Sequence, residues 1–132
     1  MKYLLDSNIC IHLLRGNLKI ANAIKEAGQD NCMISEITKA ELLVGVQRQL
    51  AKGIDRRKQV NDLLGLFPSI PISDSIEYFA QEKARLMDAG TLIEDFDLMI
   101  GCTAVIGGYV LVSQDKGHLG RISGIRLEDW TE

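Results

Sequence analysis

Proline is nearly absent: Pro68 and Pro71 are the only two in 132 residues. With no low-complexity segment and no internal repeat, that scarcity argues against linkers and disorder. Cysteine is scarce and odd in number, at Cys10, Cys32 and Cys102, and no C-x-x-C pair occurs. Neither a zinc site nor a disulfide framework is supported by that spacing. Each cysteine sits among apolar residues and reads as small core filler. The only histidines are His12 and His118, which disfavours a histidine-rich transition-metal site. Long hydrophobic runs are missing too. The longest uncharged stretch, Leu98 to Gln114, falls short of the about 20 residues a spanning helix needs. Its glycines, Gly101, Gly107 and Gly108, suit a buried helix, a turn and a strand better. Asp6, preceded only by Lys2, interrupts any candidate signal peptide. The expectation is a cytoplasmic protein with no membrane partner. Aromatic residues make up 5% of the chain, too few for an aromatic binding platform.

What remains is an ordinary globular composition, 46% hydrophobic and 25% charged. The length suggests one domain over residues 1–132 with a real core. The net charge of −3 argues against a nucleic-acid partner at first sight. Clustered carboxylates that bind two divalent ions would take −3 + 4 to +1. Placement of charge therefore matters more than its sum.

Tyr3-Leu4-Leu5 is a continuous apolar run, the pattern of a strand buried on both faces. It ends on Asp6, and Ser7 or Asn8 is placed to cap a short helix from Ile9 to Leu14. Asn17 caps a second helix through Ala27, closed by Gly28. Cys32 to Ile34 is a second strand, and Ser35 caps a helix over Glu36–Leu50 with Ile37, Ala40, Leu43 and Val44 among its apolar residues. A further helix covers Asp55 to Leu66. Ser69 to Ile72 is a third strand, which Pro71 confines to an edge or ends early. Ser73 or Asp74 caps a long helix to Gly90, whose buried face reads as Ile76, Phe79, Ala80, Lys83, Ala84 and Met87. After a loop at 91–95 come a buried helix from Asp97 to Ile106, a strand from Tyr109 to Val112, and a last short strand at Ile125 to Leu127. Alternating strands and helices predict an α/β three-layer sandwich, a mainly parallel central sheet with helices on both faces.

Four acids stand out. Asp6 and Asp115 each follow a strand, at the sheet edge where open α/β folds bind ligands, although either can serve simply as a turn or capping residue. Glu41 lies on or beside an apolar helix stripe, where a carboxylate needs a partner, whether a cation from another helix or a bound ion. Asp97 opens a helix apolar nearly all round, where a cap or the helix dipole would also suit it. One cleft can hold all four. Two bare carboxylates about 4 Å apart repel by about 4 kcal/mol at an effective dielectric of 20, so such a cluster needs protons or cations. Oxygen-only ligands suit a hard cation, Mg²⁺ or Mn²⁺. Such an ion can activate water for phosphodiester hydrolysis.

The segments Tyr3-Leu4-Leu5-Asp6-Ser7-Asn8, Ser35 to Glu41-Leu42, Phe96-Asp97-Leu98-Met99-Ile100 and Leu111-Val112-Ser113-Gln114-Asp115 occur in that order. The ordered set resembles the motifs of PIN-domain ribonucleases. The ending, Gly124 then Leu127-Glu128-Asp129-Trp130, is similar to VapC-type toxins of bacterial toxin–antitoxin modules. The resemblance implies a PIN-like fold and a Mg²⁺-dependent endoribonuclease. It also implies neutralisation by a small cognate antitoxin, a dimer, and transfer RNA among the substrates. It places Asp6, Glu41, Asp97 and Asp115 in the catalytic, metal-binding set, Asp6 and Asp97 foremost, with Ser7, Asn8 and Ser113 in support. Departures are Ser7 where threonine is common, His118-Leu119 near the fourth acid, and Ile100-Gly101-Cys102, which reads as a packing change.

Residues 48–58 hold Arg48, Lys52, Arg56, Arg57 and Lys58 against Asp55 alone. This surface suits RNA phosphates, an antitoxin segment, or plain solvation of a helix tip. Two other classes compete with the nuclease. One is a phosphate-accepting receiver-like module, which normally needs an acidic pair near the first strand. The other is a fold kept only for protein binding, which gains nothing from crowded carboxylates.

Overall fold

The computed structural model describes residues 1–132. Its elements are β1 (Tyr3–Leu5), α1 (Ser7–Leu14), α2 (Leu18–Ala27), β2 (Cys32–Ser35), α3 (Glu36–Leu50), α4 (Arg57–Leu64), β3 (Ser69–Ile70), α5 (Ile76–Asp88), α6 (Asp95–Gly107), β4 (Val110–Val112), α7 (Lys116–Leu119) and β5 (Leu127–Glu128). Short 3₁₀ turns at Gln29–Asn31 and Ser73–Ser75 precede β2 and α5. The strands form one sheet in the order β3-β2-β1-β4-β5. Every pairing is parallel, with Tyr3 opposite both Cys32 and Val110.

Successive strand residues serve opposite faces of the sheet. Leu5, Ile34 and Val112 join Ile9, Ile20, Val46 and Val60 in the core under α1–α4. Leu4, Met33 and Leu111 join Leu86, Leu98, Ile100 and Leu119 under α5–α7. Helices thus cover both faces, which is why the strands read as unbroken apolar runs. Leu4 and Leu5 are fully buried, and truncating either to alanine costs about 2–5 kcal/mol. β1 continues to β2 on one side and pairs with β4 on the other. The strand order therefore reverses beside β1, and the crevice at the C-terminal ends of β1 and β4 is where such sheets take ligands.

The predicted architecture is the observed one; several local expectations are not. The first helix starts at Ser7, and its cap is Asp6 itself, whose carboxylate accepts from the Ser7 N–H. α4 begins at Arg57 rather than Asp55, with Asp55 accepting from the Arg57 N–H just ahead of it. No side chain caps α5; the turn at Ser73–Ser75 leads into it instead. α6 starts at Asp95, so the predicted loop is shorter. The last strand falls at Leu127–Glu128, and the short α7 after Asp115 was not foreseen in the sequence. Two helix faces also differ. α3 buries Thr38, Leu42 and Val46, while Leu43 and Val44 are exposed. α5 buries Glu82 and Leu86, while Ile76 and Met87 are exposed. Spacing marks an apolar stripe, but it does not say which stripe the chain's own sheet covers.

Gly101 explains its own place in α6. A Cβ there would meet the Ile122 side chain, so the chain after α7 packs where a side chain would otherwise stand. No helix is long and apolar enough to cross a membrane.

Candidate active site

Asp6 leaves β1 directly into the crevice and is only 5% exposed. The Ser113 hydroxyl donates to its Oδ2 at 2.7 Å and the Ser7 N–H to its Oδ1 at 2.8 Å. Asn8 Nδ2 lies 3.2 Å from Ser113 Oγ, and Asn8 Oδ1 accepts from the Gln114 N–H at 3.3 Å. These bonds tie the end of β1 to the end of β4 and fix the Asp6 carboxylate. Burial nevertheless raises its pKa, against the lowering by Ser113 and Ser7, and Glu41 and Asp115 raise it further.

Only one other carboxylate is buried, Glu82 on α5, 4% exposed. Arg85 Nε and the Ser123 N–H donate to it at 2.8 and 2.7 Å, and Arg85 first among these holds its pKa down. The contrast decides how Asp6 should be read. Glu82 is neutralised by a protein cation, whereas Asp6 forms no salt bridge and faces other acids. A buried carboxylate in that state calls for a proton or a cation from outside the chain.

Glu41 reaches the crevice from α3 and is half-buried. It forms no ion pair with lysine or arginine; its partner is the Ser7 hydroxyl, which donates to Oε1 at 2.7 Å. Ser7 Oγ also lies 3.2 Å from the hydroxyl of fully buried Thr38, one helical turn before Glu41. A hydroxyl has one proton to give, and the shorter contact to the carboxylate takes it. Thr38 was not singled out in the sequence. Its spacing from Glu41, on the same helix face, is the signal that would have found it.

Asp97 lies in the first turn of α6, half-buried. Its pKa is pushed up to about 6, first by burial and then by Asp6, Glu94 and Asp115. Asp115 follows β4, caps α7 through the His118 N–H at 3.2 Å, and meets His118 Nδ1 at 2.9 Å. The four predicted acids therefore gather around Asp6: Glu41 and Asp115 both act on it, and it acts on Asp97. Asp95 stands apart, paired with Lys83 at 2.8 Å.

No three His, Cys, Asp or Glu side chains converge into a ready-made metal cage. Unneutralised carboxylates repel and stand apart, and Mg²⁺ keeps several waters and takes few protein ligands. The all-oxygen donor set and the uncompensated charge on Asp6 and Asp97 fit a hard divalent cation. Asp6 and Asp97, with Glu41 and Asp115, are the residues that would hold it.

Beside Glu41, α1, α3 and α4 enclose a groove of about 740 Å³. Ile11, Leu14, Leu42, Val46 and Val60 line it, with Arg15, Arg48, Lys52 and Arg56 among the polar residues. Arg57 and Lys58 do not face it; they pair with Asp55 and Asp62 at 2.8 Å each. The basic stretch seen in the sequence is thus two sets, and Arg15 joins the groove from a helix outside that stretch.

The PIN domain description matches residues 3–124. The chain belongs to the PIN-domain family. Within it, the chain is of VapC type. It is 29% identical over 134 residues to the tRNA(fMet)-specific endonuclease VapC of Salmonella typhimurium, covering 98% of each chain. It is 30% identical over 133 residues to ribonuclease VapC2 of Haemophilus influenzae, again covering 98% of each. Among solved structures, VapBC2 from Rickettsia felis bound to a DNA fragment from its promoter superposes with a TM-score of 0.90. That match has 26% identity and covers 98% of this chain and 99% of the other. In this PIN domain, the crevice beside β1 carries the acids, and the receiver-like alternative falls away.

Proposed function

We propose that this VapC-type ribonuclease is a Mg²⁺-dependent endoribonuclease, with Mn²⁺ as a substitute ion. In this reading it acts in the cytoplasm on transfer RNA, as the toxin of a toxin–antitoxin pair, and is held in check by a small antitoxin. The observation that carries the reading is Asp6: a buried carboxylate with no protein cation, whose pKa Glu41 and Asp115 raise further and which in turn raises that of Asp97. When bound, a divalent ion makes water acidic enough to attack and offsets charge on the leaving oxygen. The chain supplies position. Ser113 and the Ser7 N–H hold Asp6, the Ser7 hydroxyl holds Glu41, and His118 holds Asp115. Burial and then the neighbouring acids push the Asp97 pKa up to about 6, and a bound cation would favour its charged form.

The transfer RNA substrate is supported by the tRNA(fMet) specificity of the Salmonella relative. The antitoxin is supported by the VapBC complex from Rickettsia felis. Exposed Leu43 and Val44 on α3, and Ile76 and Met87 on α5, support a homodimer that covers apolar surface left open in one copy.

Purified protein incubated with total RNA, followed by sequencing of the new RNA ends, tests this reading. Cleavage with Mg²⁺ or Mn²⁺, loss with EDTA, and loss in Asp6→Asn and Asp97→Asn are expected. Full activity in both variants would overturn the assignment, and cuts spread evenly over all RNA classes would remove the transfer RNA preference.

A further inference from the structure

We propose that the groove between α1, α3 and α4 carries the RNA strand away from the acids, gripping its phosphates through Arg15, Arg48, Lys52 and Arg56. The proposal rests on the ribonuclease reading, because it starts from where a cut strand must go. The scissile phosphate has to lie beside Glu41, and Glu41 forms one wall of this groove. A strand held there continues over whatever surface adjoins it. Arg48 sits two turns further along α3 from Glu41, about 10 Å at 1.5 Å per residue, on the same side of the helix.

The charges on that surface are not neutralised. Arg15, Arg48, Lys52 and Arg56 are all exposed, and none appears in an ion pair, whereas Arg57 and Lys58 in the same stretch are both paired. Unpaired cations on two sides of one groove suit a polyanion better than a solvated tip, where neighbouring acids cost nothing. No aromatic side chain lines the groove, so bases have no stacking platform there. The grip is on the backbone, and it sets affinity and register without choosing sequence.

The test is the salt dependence of RNA binding, because each phosphate contact to a single strand adds about 0.7 to the slope of log K against log salt. A fluorescent oligouridylate is titrated with the full chain in EDTA, where no cutting occurs, and cleavage with Mg²⁺ is measured in parallel. Arg48→Gln/Lys52→Gln/Arg56→Gln should flatten the slope by about 2, and Arg15→Gln alone by about 0.7. Over a fourfold rise in salt, wild type should then lose about 20-fold more affinity than the triple variant. Arg57→Gln/Lys58→Gln should keep the wild-type slope. An unchanged slope in the triple variant, or an equal flattening in the Arg57/Lys58 control, overturns the groove assignment. So does a triple variant that binds RNA as wild type but escapes an antitoxin that binds and neutralises the wild-type chain; the groove would then belong to that protein. Wild type that binds RNA but cuts neither the oligouridylate nor any species in total transfer RNA would sink the nuclease reading instead, while the slopes still decide the groove.

Discussion

Replacing Asp97 by asparagine removes one charge from the crevice and leaves the side chain's shape. In the folded protein the Asp97 pKa is about 6, against an ordinary 3.8. One pKa unit corresponds to about 1.4 kcal/mol, so burial and then the neighbouring acids together cost at most about 3 kcal/mol once Asp97 ionises. Asp97 is half-exposed, and solvent screening brings the figure to about 1–2 kcal/mol. The sign follows from linkage. A carboxyl whose folded pKa is raised binds its proton more tightly when folded, so wild type loses stability as pH rises from 3.8 to about 6. Asp97→Asn escapes that loss. In EDTA at neutral pH the variant should melt about 3–8 °C higher than wild type. The gain should shrink below pH 6 and vanish near pH 4. With Mg²⁺ the order should reverse, because a ligand bound only by the folded state adds about 2.7 kcal/mol at a hundred times its Kd. Calorimetry across pH, with and without Mg²⁺, measures all of this. A variant less stable than wild type in EDTA at neutral pH, or a gain indifferent to pH, would refute the account of a buried carboxylate crowded by other acids.

Ser7→Ala strips Glu41 of its hydrogen-bond donor and should weaken Mg²⁺ binding or cleavage about 10–100-fold; titration calorimetry reads it, and Ser7→Thr should restore it. Glu82→Gln breaks the ion pair with Arg85 and should cost about 1–3 kcal/mol in chemical denaturation at neutral pH. Because the Glu82 pKa is lowered from 4.5, that cost should disappear as pH falls below the ordinary glutamate range, and a pH-independent cost would contradict the pairing. Gly101→Ala should force the tip of the buried Ile122 side chain to turn away, a cost of about 1 kcal/mol that the better helix propensity of alanine offsets in part; chemical denaturation reads the net change, and adding Ile122→Val should remove the clash.

The sheet, its helices and the acids around Asp6 were legible in the chain, because buried strands and ordered carboxylates leave local marks. Ser35 and Asn17 do cap their helices, accepting from Ile37 and Lys19. The exposed stripes of α3 and α5 were not legible as exposed, since an apolar periodicity looks the same whether a sheet or another molecule covers it. Glu41 shows a second limit: its partner is a serine 34 residues away, not a basic residue. The sequence displays the need for a partner, and only the fold supplies its identity. The basic stretch shows a third, since side-chain pairing alone separates Arg48 and Arg56 from Arg57.

The central place of β1 has a consequence for how the protein is made. β1 pairs with β2 at residues 32–33 but also with β4 at residues 110–112. During synthesis, at about 5–20 residues per second, Asp6 and Glu41 leave the ribosome long before Asp97 and Asp115. Until β4 emerges, one edge of β1 stays unpaired and Ser113 cannot hold Asp6. The acid-lined crevice is therefore incomplete in a growing chain, and Asp6 takes its fixed place only after β4 and Ser113 have emerged.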